Sequence, residues 1–250
     1  MEPEPAPFPT PAALSPTPLT TETAPTLPAA TSTPPQTAIP SETATPVATT
    51  TTTPATSASP APPTTGPVLT YGRPGAEPMH VRGDAGAPVV LEEFGDFECL
   101  PCSKLFPALE TLEHEFGQRL VVVFRQHPLK MHRYALEAAR AAEAAGLQGK
   151  FWEMHDALYR NRATWVPAPY VRPYLNEYAT ALQLDVDQFK ADLDGKKVAD
   201  RIVADQERGD SLGIDRTPVV FVNGEKVAVP DLYENGMRAM IDKALAAKAR

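Results

Sequence analysis

The sequence is poor in cysteine: among its 250 residues only Cys99 and Cys102 carry a thiol. A structural zinc site generally takes four cysteine or histidine ligands. No second pair stands at metal-binding spacing, and any further ligand would have to come from the five histidines, which are His80, His114, His127, His132 and His155. We therefore predict no metal, and the sequence implies no organic cofactor either.

The sequence also lacks a run of about 20 apolar residues, so it predicts no membrane-spanning helix. Residues 1–67 contain no lysine or arginine but hold 18 of the 29 prolines and 19 threonines. Each proline fixes its own φ and removes a backbone donor, so this segment is predicted to be a disordered Pro/Thr-rich stalk or linker. Its start has no secretory signal pattern, and we expect a signal or membrane anchor to precede residue 1.

Residues 68–250 are predicted to form a single domain. They contain all 23 lysines and arginines, against 27 aspartates and glutamates once the four glutamates of the stalk are subtracted from 31. This mild negative balance gives no reason to expect binding to nucleic acid or to an anionic membrane surface.

The two cysteines stand three apart, where a strand-like segment meets a helix-like one. Residues 88–94 are rich in apolar side chains and predict a strand, and residues 101–116 show the apolar spacing of a helix. A Cys-x-x-Cys in this setting is typical of a redox-active dithiol. A merely structural disulfide is the alternative, but so small a loop would add little stability.

The rest of the domain alternates strands and helices. A β-branched run at 120–124 predicts a strand and completes a βαβ unit. Five helices are then predicted, at 134–147, 151–159, 170–182, 186–193 and 198–212. Asp185 and Gln188 are interpreted as a capping pair, and Phe151, Trp152 and Tyr159 as core residues.

A hairpin and a helix are predicted to close the domain. Residues 218–222 and 226–229 predict two strands, and Asn223-Gly224 between them is typical of a type I′ turn. The last helix is expected at 231–247. The segment from about 132 to 213 is therefore interpreted as a helical insertion within a sheet.

Three segments together resemble one known family. Residues 93–102 read EFGDFECLPC, residues 216–224 read RTPVVFVNG, and residues 151–159 read FWEMHDALY. With Pro107 five residues after the second cysteine, these segments are similar to the active-site strand, the cis-proline loop and an inserted helix of DsbA-type thiol:disulfide oxidoreductases. The resemblance implies an α/β thioredoxin fold with an inserted helical subdomain.

Thiol exchange needs one cysteine that ionises below the ordinary pKa of about 8.5. Cys99 is expected at a helix N-cap, where backbone N–H groups and the helix dipole favour a thiolate, so we assign it as the attacking thiol. Cys102, one turn later, is assigned as the resolving thiol. Pro101 has no N–H to donate, and Asp96 and Glu98, interpreted as solvated surface acids, add negative charge nearby.

The resemblance also implies supporting residues. Pro218 is expected to follow a cis peptide and to lie against the thiols, while Thr217 offers its backbone to a substrate strand; an ordinary trans proline is the alternative. Glu93 is expected to be a buried proton relay for the resolving thiol, with a surface acid as the alternative. Leu100 stands where strongly oxidising relatives often carry histidine, so a weaker oxidant is predicted.

The sequence therefore predicts an enzyme that exchanges disulfides with extracytoplasmic protein substrates. Its favoured form is a dithiol oxidase, whose active site a redox partner resets after each cycle. A reductase or isomerase of the same fold is one alternative. A binding or chaperone module with a structural disulfide is another. His127, His132 and His155 are assigned to packing or to the surface, with metal ligands or bases as the alternative, because none falls in a motif with the cysteines.

Overall fold

A computed structural model describes residues 80–248, so the predicted stalk and positions 68–79 lie outside the described residues. In chain order its elements are β1 (Val81–Gly83), β2 (Val89–Gly95), α1 (Leu100–Phe116), β3 (Leu120–Gln126), α2 (Ala135–Leu147), α3 (Phe151–Arg160), α4 (Arg162–Trp165), α5 (Arg172–Ala181), α6 (Val186–Leu193), α7 (Lys196–Ser211), β4 (Val219–Val222), β5 (Glu225–Lys226) and α8 (Glu234–Lys248). Within this part of the chain, no helix has both the length and the apolar character needed to cross a membrane.

The five strands form one mixed sheet in the order β1-β3-β2-β4-β5. Its centre is the parallel pair β2 and β3, in which Val89 lies opposite Leu120 and Gly95 opposite Gln126. Every residue of these two strands is buried, because helices cover both faces of the sheet. The predicted thioredoxin fold with a helical insertion is confirmed.

Successive side chains of β2 point to opposite faces of the sheet. Leu91 packs on the face that α1 and α8 cover, in an apolar cluster that includes Val89, Leu105, Leu109, Val220, Met237 and Ile241. The opposite face carries Glu92 and Phe94, and α7 packs over it. Glu93 therefore shares the face of α1, which begins at the cysteines.

The insertion between β3 and β4 holds six helices where the sequence predicts five. The five predicted helices are all present, with ends within two residues of those predicted. The additional helix, α4, is a single turn and is too short to produce a periodic apolar pattern. Asp185 caps α6 by accepting from the N–H groups of Asp187 and Gln188, as predicted, while its own N–H donates to the side chain of Gln148, the C-cap of α2.

The hairpin at the sheet edge is shorter than predicted. Strand β5 covers Glu225–Lys226 rather than 226–229, because the chain enters a 3₁₀ turn at Val229–Asp231. The turn before β5 is as predicted, since Asn223 and Gly224 both have positive φ. The three-residue strand β1 was not predicted.

Candidate active site

Cys99 lies at the point where the chain leaves β2 and enters α1. It is the N-cap of α1 with φ −64° and ψ 122°, and its N–H donates to the carbonyl of Asp96 at 3.1 Å. Leu100 and Pro101 form the first helical positions, where proline is tolerated because the first N–H groups have no helical partner. Strand, turn and helix together thus present the Cys99 sulfur at a helix N-terminus.

The environment of Cys99 favours its thiolate. Its pKa is lowered from 9.0 to about 6, mainly by hydrogen bonds from the Cys102 thiol and from the Cys102 backbone N–H. Burial and the charge of Asp96 act in the opposite direction. The side chain is nevertheless only 3% exposed, so a partner must approach along the rim that its neighbours leave open.

Cys102 has the opposite character. It is fully buried, and burial is the main cause that raises its pKa well above 9.0. The hydrogen bond to Cys99 and the negative charge of Glu93 raise the pKa further. Both cysteines are free thiols in this structure, so the pair consists of one acidic thiol at the rim and one protonated thiol behind it.

The loop before β4 lies against the thiols. The Thr217–Pro218 peptide bond is cis, and the Cys99 sulfur lies 3.4 Å from the Thr217 carbonyl oxygen, to which the protonated thiol donates. Beside this contact is a cavity of about 240 Å³, whose lining includes Pro101, Leu105, Thr217, Pro218, Val229 and Tyr233. Two segments more than 110 residues apart in sequence therefore meet at the Cys99 sulfur.

Apolar side chains at this rim are exposed. Leu100 is 49% exposed, Val229 62% and Tyr233 51%. Exposed large apolar groups beside a cavity are typical of a surface that binds an apolar partner. Leu100 and Pro101, which separate the two cysteines, thus lie at the surface rather than in the core.

Glu93 is buried on the α1 side of the sheet, at 2% exposure. Burial raises its pKa from 4.5 to about 8, with further increases from the charges of Cys99 and Glu113, whereas Arg82 lowers it. Within residues 80–248 its Oε1 atom has no hydrogen-bond partner. A carboxyl group with this pKa can gain or lose a proton near neutral pH.

The neighbouring Glu92 points to the opposite face, as strand alternation predicts, but it too is buried. Its carboxylate accepts from Arg125 at 2.8 Å and from Arg208 of α7 at 2.9 Å. Asp205 of the same helix accepts from Arg125 at 3.0 Å. This buried ion network ties the helical insertion to the sheet behind the thiols, and the sequence pattern did not reveal it.

The interpretation of Asp96 as a solvated surface acid is wrong. Asp96 is 1% exposed and accepts from the N–H groups of Glu98 and Leu129, each at 2.8 Å. Its carboxylate also lies 2.7 Å from Nδ1 of His132. The loop after β3 therefore encloses Asp96, and one of the histidines assigned only to packing or the surface contacts the turn before Cys99.

Glu98 is partly buried rather than fully solvated, and it is held by the insertion. Its carboxylate accepts from the Tyr134 N–H at 2.5 Å, and its carbonyl oxygen accepts from Nε and Nη2 of Arg162, at 2.7 and 2.5 Å. Arg162 belongs to α4, the helix that the sequence did not predict. The turn that carries Cys99 is thus anchored from two parts of the insertion.

The aromatic residues of α3 pack as predicted, with one polar addition. Phe151 and Tyr159 are each 4% exposed, and Trp152 is partly buried with Arg82 stacked on its ring. His155 is buried among them, and burial lowers its pKa to about 4. The Tyr159 hydroxyl reaches β2 at Gly95, a placement that the sequence pattern could not indicate.

Comparison with known proteins agrees with the fold. The sequence model of the thioredoxin family matches residues 76–243. A Na⁺/H⁺ antiporter named NhaA 1 from Mycolicibacterium gilvum is 40% identical over 150 residues, which is 59% of this chain and 24% of the antiporter. The chain thus spans about a quarter of that relative's length.

Two solved structures share the architecture. A thioredoxin-like oxidoreductase from Silicibacter pomeroyi is 24% identical, with a TM-score of 0.58 over 68% of this chain and 94% of that one. The thiol-disulfide exchange protein alpha-DsbA2 from Wolbachia pipientis is 19% identical, with a TM-score of 0.55 over 65% of this chain and 85% of that one. At these identities the likeness extends to the fold.

Proposed function

This chain belongs to the thioredoxin family, and on that premise we propose that it is a thiol:disulfide oxidoreductase that acts on protein substrates through Cys99 and Cys102. The observation that carries the proposal is the opposite acidity of two adjacent thiols. Cys99 has a pKa near 6 and is ionised at neutral pH, whereas Cys102 remains protonated. Exchange requires a thiolate that also leaves readily, and Cys99 meets both conditions.

In the oxidising direction, the reaction starts from a Cys99–Cys102 disulfide. A client thiolate attacks the Cys99 sulfur, so that a client–Cys99 bond forms, the Cys99–Cys102 bond breaks and Cys102 leaves as a thiolate. A second client thiolate then attacks the client sulfur and releases Cys99 as a thiolate. The client has lost two electrons to the pair, and a redox partner must remove them before the next cycle.

The buried Cys102 thiolate needs a proton, and Glu93 is suited to supply it. A carboxyl group with a pKa of about 8 is largely protonated at pH 7, and the charge of Glu93 interacts with both Cys99 and Cys102. Burial penalises a charged sulfur, so proton transfer from Glu93 lowers the cost of the first step. The same carboxylate takes the proton back when Cys102 acts as the attacking thiol.

The cavity beside Cys99 supports a protein client. Thr217 borders it with a backbone that can pair with an extended peptide, and Leu100, Val229 and Tyr233 offer exposed apolar contacts. A lasting dithiol oxidase needs an oxidising compartment, so we infer an extracytoplasmic location with residues 1–67 as a tether. We do not propose antiporter activity for this chain, because the match covers only 24% of the antiporter.

A reductase or isomerase is the second candidate, and the absence of histidine between the cysteines favours it. Leu100 supplies no positive charge to the thiolate, and Asp96 opposes ionisation of Cys99. A Cys99 pKa closer to neutral makes the reduced form less favoured and the protein a weaker oxidant. The measured reduction potential separates the two directions of exchange.

Trapping of a client tests the exchange itself. Cys102→Ser removes the resolving thiol, so the reduced variant is expected to form a persistent Cys99-linked adduct with a disulfide-bonded client such as insulin. Cys99→Ser is the matched control and should trap nothing. If Cys102→Ser accumulates no adduct under non-reducing electrophoresis, the module only binds and the proposed exchange is wrong.

A further inference from the structure

Tyr159 of α3 has a fixed ring and an unpaired hydroxyl. The ring packs against Phe97, Phe106 and Phe124, with centroid separations of 4.9, 5.5 and 6.4 Å. The residue is 4% exposed, and within residues 80–248 its hydroxyl has no hydrogen-bond partner. A buried tyrosine hydroxyl normally finds a partner, so this one calls for an explanation.

The hydroxyl lies over β2 at Gly95, two residues from Glu93. A Cβ atom on Gly95 would come within 3.0 Å of the Tyr159 oxygen, which places that oxygen directly above this glycine. Gly95 and Glu93 are two residues apart on one strand and so face the same side, about 7 Å from each other. Within residues 80–248 the Glu93 Oε1 atom on this face likewise has no hydrogen-bond partner, and neither does Nε2 of the neighbouring His155.

The titratable groups around this pair come from β1, the turn with Asp96 and Cys99, α1, and α3, where the buried His155 ring lies 5.0 Å from the Tyr159 ring. Phe124 and Val220 lie opposite Glu93 on the flanking strands. The charges that act on Glu93 come from Cys99 and Glu113 of α1 and from Arg82 of β1, and the charge of Glu93 in turn acts on Cys102. Burial, followed by the charges of Cys102 and Glu93, keeps the pKa of Tyr159 high, so its hydroxyl remains a donor.

Resting on the thiol exchange proposed above, we propose that Tyr159 is a positioning residue for proton transfer. Its hydroxyl donates to the Glu93 carboxylate through one buried water and holds that carboxylate in place to exchange a proton with Cys102. When the Cys99–Cys102 bond breaks, the Glu93 proton moves to the Cys102 sulfur and the carboxylate left behind accepts from Tyr159. The reverse step returns the proton, and neither side chain changes its redox state.

Tyr159→Phe tests this role because it keeps the ring and removes the donor. Loss of a hydrogen bond to a carboxylate is expected to raise the Glu93 pKa by about 1, measured by ¹³C NMR of glutamate-labelled protein. The ionised fraction of Glu93 at pH 7 then falls about tenfold. Cys102 should therefore displace glutathione from a Cys99–glutathione mixed disulfide about tenfold more slowly at pH 7, and the deficit should shrink toward pH 9.

Tyr178→Phe is the matched control, since Tyr178 is also a buried tyrosine of the insertion, at 3% exposure. It should change neither measurement. If Tyr159→Phe melts like the unchanged protein and leaves both the Glu93 titration and the pH profile unaltered, the proposal is overturned. A merely structural role would lower the melting temperature without moving the pH profile, which would also overturn it.

The unchanged protein provides a second readout that needs no tyrosine variant. The ¹³Cζ resonance of Tyr159 should shift with pH at the midpoint of the Glu93 titration, and this shift should vanish in Glu93→Gln. A resonance that does not move across that midpoint contradicts the contact. If the unchanged protein fails to release glutathione at all while both NMR titrations behave as expected, the proposed exchange is wrong and the Tyr159–Glu93 contact stands.

Discussion

Replacing Glu93 by glutamine should stabilise the protein in a pH-dependent way. The folded protein holds the Glu93 proton with a pKa of about 8, against the ordinary glutamate value of 4.5 that applies to the unfolded chain. A raised folded-state pKa means that the folded state binds the proton more tightly. The contribution of Glu93 to the free energy of unfolding is therefore most favourable below pH 4.5 and falls as the pH rises toward 8. Above that range the loss is constant.

The two pKa values give the size of the effect. At pH 7 the unfolded carboxyl is almost fully ionised and the folded one mostly protonated, which costs about 3 kcal/mol of unfolding free energy relative to a group that never ionises. Glu93→Gln removes this cost. The variant should therefore gain about 3 kcal/mol over the unchanged protein between pH 4 and pH 7.

Urea unfolding of the reduced proteins at the two pH values measures this gain. Comparing the stability gap at pH 7 with that at pH 4 cancels the change in packing between carboxyl and amide. Glu153→Gln is the control, because its carboxylate is 43% exposed in a surface ion pair and should contribute under about 1 kcal/mol. A gap for Glu93→Gln that is equal at both pH values would refute the assignment of Glu93 as a buried acid.

Three further outcomes are expected. The absorbance of the Cys99 thiolate at 240 nm should titrate with a midpoint near pH 6 and disappear in Cys99→Ser, whereas a midpoint above 8 would contradict stabilisation at the N-cap. The attacking thiol of DsbA has a pKa of about 3.5, so at pH 7 a Cys99 pKa of about 6 stabilises the reduced form by about 3 kcal/mol less. Equilibration with glutathione should therefore give a reduction potential about 70 mV below that of DsbA, which is about −190 mV. A potential of about −120 mV or above would contradict this. Glu92→Gln should lower the free energy of unfolding by about 3 kcal/mol because Arg125 and Arg208 lose a buried counter-charge, and a loss under 1 kcal/mol in urea would show that the network is screened.

The parts of the fold that sequence reasoning obtained are those with local causes. Helix α6 follows from its apolar spacing and its Asp185 cap, and the turn at Asn223-Gly224 follows from residues that tolerate positive φ. The position of Cys99 at the start of α1 is likewise a local consequence of a strand followed by a helix. Strand β5 was overestimated because the apolar residues at 227–229 lead into a 3₁₀ turn and do not extend the strand.

The parts it missed depend on contacts between distant segments. Asp96 is buried because the loop after β3 folds over it and brings Leu129 and His132 into hydrogen-bonding range. Glu92 is an ordinary strand acid in sequence, and its partner Arg208 lies 116 positions away. Neither Asp96 nor Glu92 shows any local sign of burial in the sequence, so their partners could not be derived from residue spacing alone.

Single-turnover transfer of the Cys99–Cys102 disulfide to a reduced, unfolded protein with two thiols tests the central claim most directly. Client thiols and protein thiols are counted after rapid acid quenching. We expect one client disulfide for each Cys99–Cys102 pair reduced, and no transfer from Cys99→Ser. The proposed function would be contradicted if the client thiols stay reduced in the presence of the oxidised protein, or if Cys99→Ser still transfers a disulfide.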